Sequence, residues 1–307
     1  MAFVRQACRM ISGLISILPQ RIRAIIVVTI RALPAGSWLI SRYEDAVWPV
    51  CCFIIEYPKC GRTWLRLMLG KAIALRFGFG DEVNLLEIEE MVRLHKDVPR
   101  IKITHEDTVP PKKAPELERD KQCYKNKKVI FLVRDPRDIM VSQYFQMTKR
   151  QYEYDWQYHS DISSFIRDER YGVDTLLHFM NIWYENKSVP SDFLLVRYED
   201  MKTDTCKELE RVIKFIGIEG IGREITCDAV NFADFDNMKR MERENSLNSG
   251  RLRPVDIDDA ESYKVRKGKV GGYVDYLSDE DIDYLNQKIE TLLPDYFGYT
   301  SDLRMLL

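Results

Sequence analysis

Apolar residues in this chain fall in short unbroken runs set between longer stretches of mixed polarity. Cys51-Cys52-Phe53-Ile54-Ile55, Lys128 to Val133 and Phe193 to Tyr198 are nearly continuous in apolar residues, and Arg100 to Thr104 is a shorter β-branched run. Runs of this length without polar alternation predict strands buried on both faces. Between them the spacing turns helical, in Trp64 to Leu69, Asn84 to Leu94, Ile139 to Met147, Asp161 to Asn186 and Asp204 to Ile216, the last closed by Gly217. Ser278-Asp279-Glu280-Asp281 predicts a helix start, with Ser278 as cap and Asp281 near the positive helix end. Three prolines and many charges between Val109 and Lys128 predict an exposed excursion or a lid-like loop. Strands alternating with helices predict an α/β fold with a central, mostly parallel sheet flanked by helices. Such sheets bind ligands beyond the carboxyl ends of their strands.

Residues 1–48 form a prefix ahead of the first strand. Ile11 to Leu18 and Ile22 to Ile30 are largely apolar, but Pro19, Arg21, Arg23, Arg31 and Pro34 break them up. No run reaches the roughly 18 apolar residues of a spanning helix. The prefix is expected to be an amphipathic or hydrophobic helical segment, with residues 1–42 either lying on a membrane surface or packing on the protein. Residues 49–300 read as a single domain. The chain of 307 residues carries 46 Lys and Arg against 48 Asp and Glu. Net charge therefore gives no argument for nucleic acid, and an anion site must be a local cluster of cations. Seven cysteines without a C-x-x-C pair point to a reducing, cytoplasmic setting and away from zinc.

Four segments could carry chemistry. In the first, Tyr57-Pro58-Lys59-Cys60-Gly61-Arg62-Thr63-Trp64 joins a buried strand to a helix. Backbone N–H groups at a helix start, together with a loop lysine, make an anion cradle. The loop is not G-x-x-x-x-G-K-[ST], and no metal-binding Asp follows a strand in the matching place, so the expected site holds an anion without a metal. In the second, Arg134-Asp135-Pro136-Arg137-Asp138 ends a strand, with Ser142 on the first turns of the next helix. A strand-end Arg can grip a phosphate with two donors. The third is Arg266-Lys267-Gly268-Lys269-Val270-Gly271-Gly272, cations interleaved with glycines that can wrap an anion. The fourth is His105, one of four histidines, at the end of the Arg100 to Thr104 strand, where a proton acceptor would be useful. Taken singly, each has a plainer reading: a strand-helix turn, an Arg-Asp surface network, a solvated basic loop and a structural histidine.

Together, in this order and spacing, the four segments resemble the sulfotransferases that use 3′-phosphoadenosine 5′-phosphosulfate (PAPS), nearest to the cytosolic type and its bacterial relatives. Arg197-Tyr198-Glu199-Asp200-Met201 adds to the resemblance, which covers roughly residues 50 to 290. It implies a P-loop-NTPase-like three-layer fold and transfer of a sulfuryl group from PAPS, without a metal, to a hydroxyl or amine of a small-molecule, carbohydrate or lipid acceptor. It implies that Lys59, Cys60, Gly61, Arg62, Thr63 and Trp64 hold the 5′-phosphosulfate, with Trp64 also against adenine. Arg134, Ser142, Arg266, Lys267 and Gly268 would hold the 3′-phosphate, Tyr198 would contact the nucleotide, and Phe235 would be the second adenine-stacking ring. His105 would be the catalytic base, Lys59 would stabilise the leaving phosphate, and Ser142 would assist catalysis.

The chain departs from the family pattern in places. Cys60 and Arg62 stand where Ser and Thr are usual. Ile103 stands where a second lysine is frequent, and strand alternation turns the adjacent Lys102 away from His105. Ala233 replaces an adenine-contacting threonine. Glu106 and Asp107 follow His105 and would bring acidic groups near the acceptor. The short dimer motif of the cytosolic enzymes is not recognisable, so oligomeric state does not carry over. These departures keep open the alternative of a catalytically silent nucleotide-binding or scaffold protein of the same fold. Residues 77–98, 106–127 and 146–170 are expected to build the acceptor side, with Tyr144, Phe145, Tyr152, Tyr154, Trp156 and Tyr158 either lining a pocket or packing helices.

Overall fold

The computed structural model describes residues 50–81, 83–150 and 157–300. The prefix of residues 1–48, with its proposed membrane contact, and Tyr152, Tyr154 and Trp156 lie outside the described residues. Among the described residues no helix is long and apolar enough to cross a membrane.

Four strands form one parallel sheet in the order β2-β1-β3-β4, where β1 is Cys52–Glu56, β2 Ile101–Thr104, β3 Lys128–Val133 and β4 Asp192–Arg197. These are the four runs that the apolar pattern marks as strands. Successive strand residues point to opposite faces, and Val129, Ile130, Phe131, Leu132 and Val133 are all at most 1 % exposed. Both faces of β3 are therefore covered, which is why it is apolar from Val129 to Val133 rather than at every second position.

Helices α1 (Arg62–Phe77) and α2 (Ile88–Leu94) follow β1, and α3 (Pro136–Lys149), α4 (Ile162–Arg167) and α5 (Val173–Glu185) follow β3. After β4 come α6 (Tyr198–Thr203), α7 (Thr205–Ile216), α8 (Arg223–Phe232), α9 (Phe235–Glu244) and, towards the end, α10 (Asp279–Leu292). Helix α1 packs with α7 and α8, whereas α3, α4, α5 and α10 pack with one another. Local chemistry sets the helix starts. The Asp135 carboxylate accepts from the Arg137 N–H with Pro136 in the first turn, Asp204 caps α7, Asp234 caps α9, and the Ser278 hydroxyl accepts from the Asp281 N–H.

Two predicted elements differ. Asp161 to Asn186 is not one helix, because the Asp168 carboxylate accepts from the N–H groups of Arg170 and Tyr171 and turns the chain between α4 and α5. An aspartate that satisfies nearby N–H groups competes with helix continuation. The helix expected from Asn84 begins only at Ile88, because Asn84 spends its side chain on the Leu86 N–H and the Leu247 carbonyl.

From β1 the chain crosses to β2 on one side and later to β3 on the other. The carboxyl ends of β1 and β3 thus flank the point where strand order reverses, the place where open α/β sheets bind ligands. The Lys59 loop leaves β1 and the Arg134 turn leaves β3 at that point.

Candidate active site

The loop after β1 curls back on itself. Lys59 has φ 82° and Gly61 φ 102°, both left-handed, while Trp64 and Leu65 donate their N–H groups back to the Gly61 carbonyl. A non-glycine residue held in that region is costly, and such strain gathers at functional sites. Gly61 also has no room for a side chain, since a Cβ there would lie 2.7 Å from the Tyr198 ring. Beyond Gly61, α1 begins without a side-chain cap. Lys59 reaches across to donate to the Gln146 side-chain carbonyl at 3.0 Å, and burial together with nearby Lys264 and Arg150 holds its amine well below the usual lysine range.

Arg134 joins three segments. Its guanidinium donates to the carbonyls of Lys59 (3.5 Å) and Lys269 (3.1 Å), pairs with Asp138 at 3.4 Å, and lies 4.4 Å from the centre of the Tyr198 ring. Asp138 in turn accepts from the N–H groups of Gly271 and Tyr273, both at 3.0 Å, and so pins the glycine-rich C-terminal loop to α3. The Arg266 side chain is held by Glu261 at 3.1 Å and by the Tyr276 hydroxyl, over the ring of Phe145. Lys267 pairs with Asp275 at 3.0 Å. At Gly268 (φ 58°) a Cβ would stand 2.7 Å from the Phe235 ring, so the loop backbone lies directly against that ring. Trp64 is anchored by its indole N–H on the Ala233 carbonyl at 3.0 Å and meets Tyr198 edge-on at 5.7 Å.

On the other side, His105 follows β2 and is 19 % exposed. Its Nδ1 lies 3.3 Å from Oε1 of Glu56, the last residue of β1, and the same oxygen lies 3.1 Å from Arg62 Nε. Burial, then the Arg62 cation, keeps the imidazole well below the usual histidine range, so the ring is neutral. Burial raises Glu56 to about 7, opposed chiefly by Arg62. Lys264 enters the same cleft from the C-terminal segment, where its own N–H and that of Val265 are held by the buried Glu242 carboxylate. Burial, then Arg150 and Arg62, brings the Lys264 amine down to about 7.

The cleft has a volume of about 490 Å³, within the range of small-ligand sites. It brings together Lys59, Gly61, Arg62, Thr63, Trp64, His105, Arg134, Ser142, Tyr198, Phe235, Arg266, Lys267 and Gly268. Cys60 is the exception among the residues singled out in the sequence. Its side chain is 1 % exposed, lies outside the cleft lining and has its thiol pushed well up by burial, so only its backbone is left to the loop. Glu106 also departs from expectation. It turns into the protein, where it takes hydrogen bonds from Lys121 and the Trp183 indole (2.7 Å), rather than facing an acceptor. Asp107 is likewise engaged, by Lys112 and the Glu118 N–H. Tyr144 and Tyr158 pack on Phe165, and Phe145 lies beneath Arg266, so these three rings are packing residues and none lines the cleft. Lys102 is exposed, as strand alternation requires.

Sequence reasoning missed Glu56, Asp138, Gln146 and Lys264. Gln146 stands one turn beyond Ser142 on α3, and Glu56 is a charge at the end of an otherwise apolar strand. Both were available as signals. Nothing local marked Lys264.

The family model for the sulfotransferase domain matches residues 51–297. The chain belongs to the sulfotransferase family. It is a PAPS-dependent sulfotransferase with the α/β architecture expected of one. The flavonol 3-sulfotransferase of Flaveria bidentis is 26% identical to it over 85% of this chain and 86% of the relative. Human sulfotransferase 2A1 is also 26% identical, over 83% and 87%. Among solved structures, mouse sulfotransferase SULT7A1 complexed with PAP has a TM-score of 0.55 at 19% identity, covering 82% of this chain and 88% of that one. Retinol dehydratase in complex with androsterone and inactive cofactor PAP has a TM-score of 0.53 at 20% identity, covering 81% and 82%. At these identities the solved structures establish the fold of this sulfotransferase and leave its acceptor to the residues themselves.

Proposed function

We propose that the cleft binds PAPS across the β1 and β3 strand ends and that His105 and Lys59 carry sulfuryl transfer to an acceptor hydroxyl or amine. The observation that carries this reading is the meeting of three cationic segments and one neutral histidine in a single cleft. In this reading the 5′-phosphosulfate lies on the loop of residues 59–64, held by its backbone and by Lys59. The 3′-phosphate is held by Arg134, Ser142, Arg266, Lys267 and the Gly268 backbone, and adenine by Trp64, Phe235 and Tyr198. Two separated phosphates require two separated cation clusters, and Arg134 couples the clusters through the Lys59 and Lys269 carbonyls. His105 removes the acceptor proton as the acceptor attacks sulfur, and Lys59 balances charge on the departing phosphate oxygen. Lys264, whose amine donates to the Arg251 carbonyl at 3.1 Å, adds a second lysine to the cleft lining where position 103 supplies none. The acceptor is a small molecule, carbohydrate or lipid, met by the apolar wall of Val109, Pro111, Val141, Met147 and Met238. A cytoplasmic setting, with residues 1–42 as a membrane contact, belongs to the same proposal.

Calorimetry with adenosine 3′,5′-bisphosphate tests the donor assignment. Wild-type protein is expected to bind it, and Arg134→Ala to bind roughly tenfold to hundredfold more weakly, since a charged hydrogen bond contributes about 1.5–3 kcal/mol. No binding by wild type would remove the reading, and equal binding by the variant would remove the role of Arg134. The same titration at pH 8 carries a second expectation. Lys59 and Lys264 sit below their usual range when the cleft is open, so a bound anion should draw protons onto them. The binding enthalpy should therefore change between phosphate and Tris buffers in the direction of proton uptake. Identical enthalpies would show that neither amine is short of a proton.

A further inference from the structure

Two acids line the cleft among the described residues, Asp138 and Glu56. Asp138 is occupied with the C-terminal loop. Glu56 is 0 % exposed, and neither of its oxygens accepts a side-chain hydrogen bond of good geometry. A buried carboxylate left in that condition is expensive unless the site uses it. Its nearest side-chain polar neighbours are Arg62 Nε and His105 Nδ1, and the His105 ring also meets the main chain of Glu56.

We propose that Glu56 is the positioning residue for His105, accepting its Nδ1 proton so that the unprotonated Nε2 is presented to the acceptor. This rests on the reading of His105 as the base. A neutral imidazole has one N–H, and whichever nitrogen holds it cannot take the acceptor's proton. A carboxylate on the Nδ1 side decides the tautomer. It also balances charge during transfer: the acceptor O–H breaks, its oxygen bonds to sulfur, the bond from sulfur to the phosphate oxygen breaks with the electron pair leaving on that oxygen, and the proton ends on Nε2. The resulting imidazolium then faces an anion instead of burial alone. At 3.3 Å the Glu56 contact is long, as catalytic hydrogen bonds often are before substrate binds. Arg62 has a matching task, because its cation keeps Glu56 ionised against burial. Ionised Glu56, Arg62 and neutral His105 sum to no net charge, the one arrangement of the three that suits a buried site.

The groups facing Glu56 are Arg62 from α1, Lys59 and the Cys60 thiol from the loop, His105 after β2 and Lys264 from the C-terminal segment. With Glu56 raised to about 7, the trio gains a proton as pH falls through that value, and His105 loses its anionic partner. Transfer should be present above pH 7 and fall below it.

Nitrogen-15 NMR of the imidazoles tests this on the protein itself, with His105 assigned by its absence in His105→Ala. The wild type is expected to show His105 as a single neutral tautomer protonated on Nδ1, with a titration step near pH 7. In Glu56→Gln that step should vanish and the Nε2-protonated form should appear, while Glu56→Asp should restore the wild-type tautomer in part. Calorimetry with adenosine 3′,5′-bisphosphate on the same samples reports the fold, and its binding should change less than threefold in both variants. An Nε2-protonated His105 in wild type, or a tautomer indifferent to both substitutions, would overturn the proposal even if nucleotide binding and the base role stand. Loss of nucleotide binding by wild type would instead count against the donor reading. If Glu56→Gln does not fold, the wild-type tautomer and the Glu56→Asp spectrum still decide.

Discussion

Replacing His105 by Ala is expected to lower kcat by about 10²–10⁴-fold, the usual contribution of a placed general base. The imidazole is the group in the cleft best suited to the work. It stands opposite the Lys59 loop, it is held neutral by burial and the Arg62 cation, and Glu56 lies on its Nδ1 side. The neighbouring acids do not compete for the role, since Glu106 is tied to Lys121 and Trp183 and Asp107 to Lys112. The measurement is sulfuryl transfer from sulfur-35-labelled PAPS to a panel of phenols, sterols, sugars and lipids that includes a flavonol. His105→Ala should still bind adenosine 3′,5′-bisphosphate as the wild type does, which separates lost chemistry from lost structure. A variant that turns over within threefold of wild type would exclude His105 as the base.

Lys59→Met is expected to reduce kcat by about 10²–10³-fold, equivalent to about 2.7–4 kcal/mol of transition-state stabilisation. Methionine keeps a chain of similar length and the same cost of the left-handed backbone at φ 82°, so the change removes little besides the charge. The amine is half-buried and donates to a neutral amide, Gln146, so no carboxylate pairs with it directly. A cation in that condition acts most strongly where new negative charge develops. Nucleotide affinity should fall much less than kcat, because the loop N–H groups and the Arg134 cluster remain. Equal losses in affinity and in kcat would mean that Lys59 only binds the donor.

Much of this was legible along the chain. The apolar runs of β1 and β3, Lys128 to Val133 above all, announced strands covered on both faces, whereas the edge strand β2 carries the exposed Lys102. The Lys59 loop, the Arg134 turn and the basic glycine-rich run were visible because each combines a special backbone geometry with cations, and few residue types satisfy both. Helix ends were legible where a side chain caps them, as at Asp135 and Ser278. They were not legible at Asp168, where one carboxylate redirects two N–H groups and divides a segment that is helical by pattern. Cys60 looked like a donor contact by its place in the loop, but the side chain turns inward.

The sequence by itself determined the architecture, the family and the segments that meet in the cleft, since these depend on local patterns of burial, turn chemistry and charge. Only the tertiary structure decided which distant groups share a dielectric environment. Glu56, Arg62 and His105 come from the end of β1, the start of α1 and the end of β2, and parallel pairing of β1 with β2 is what brings the two strand ends together. Lys264 arrives from more than 150 residues away, carried by the grip of Glu242 on its backbone. Protonation depends on burial and on neighbours a few ångströms away in space, and neither is encoded at any single position of the chain.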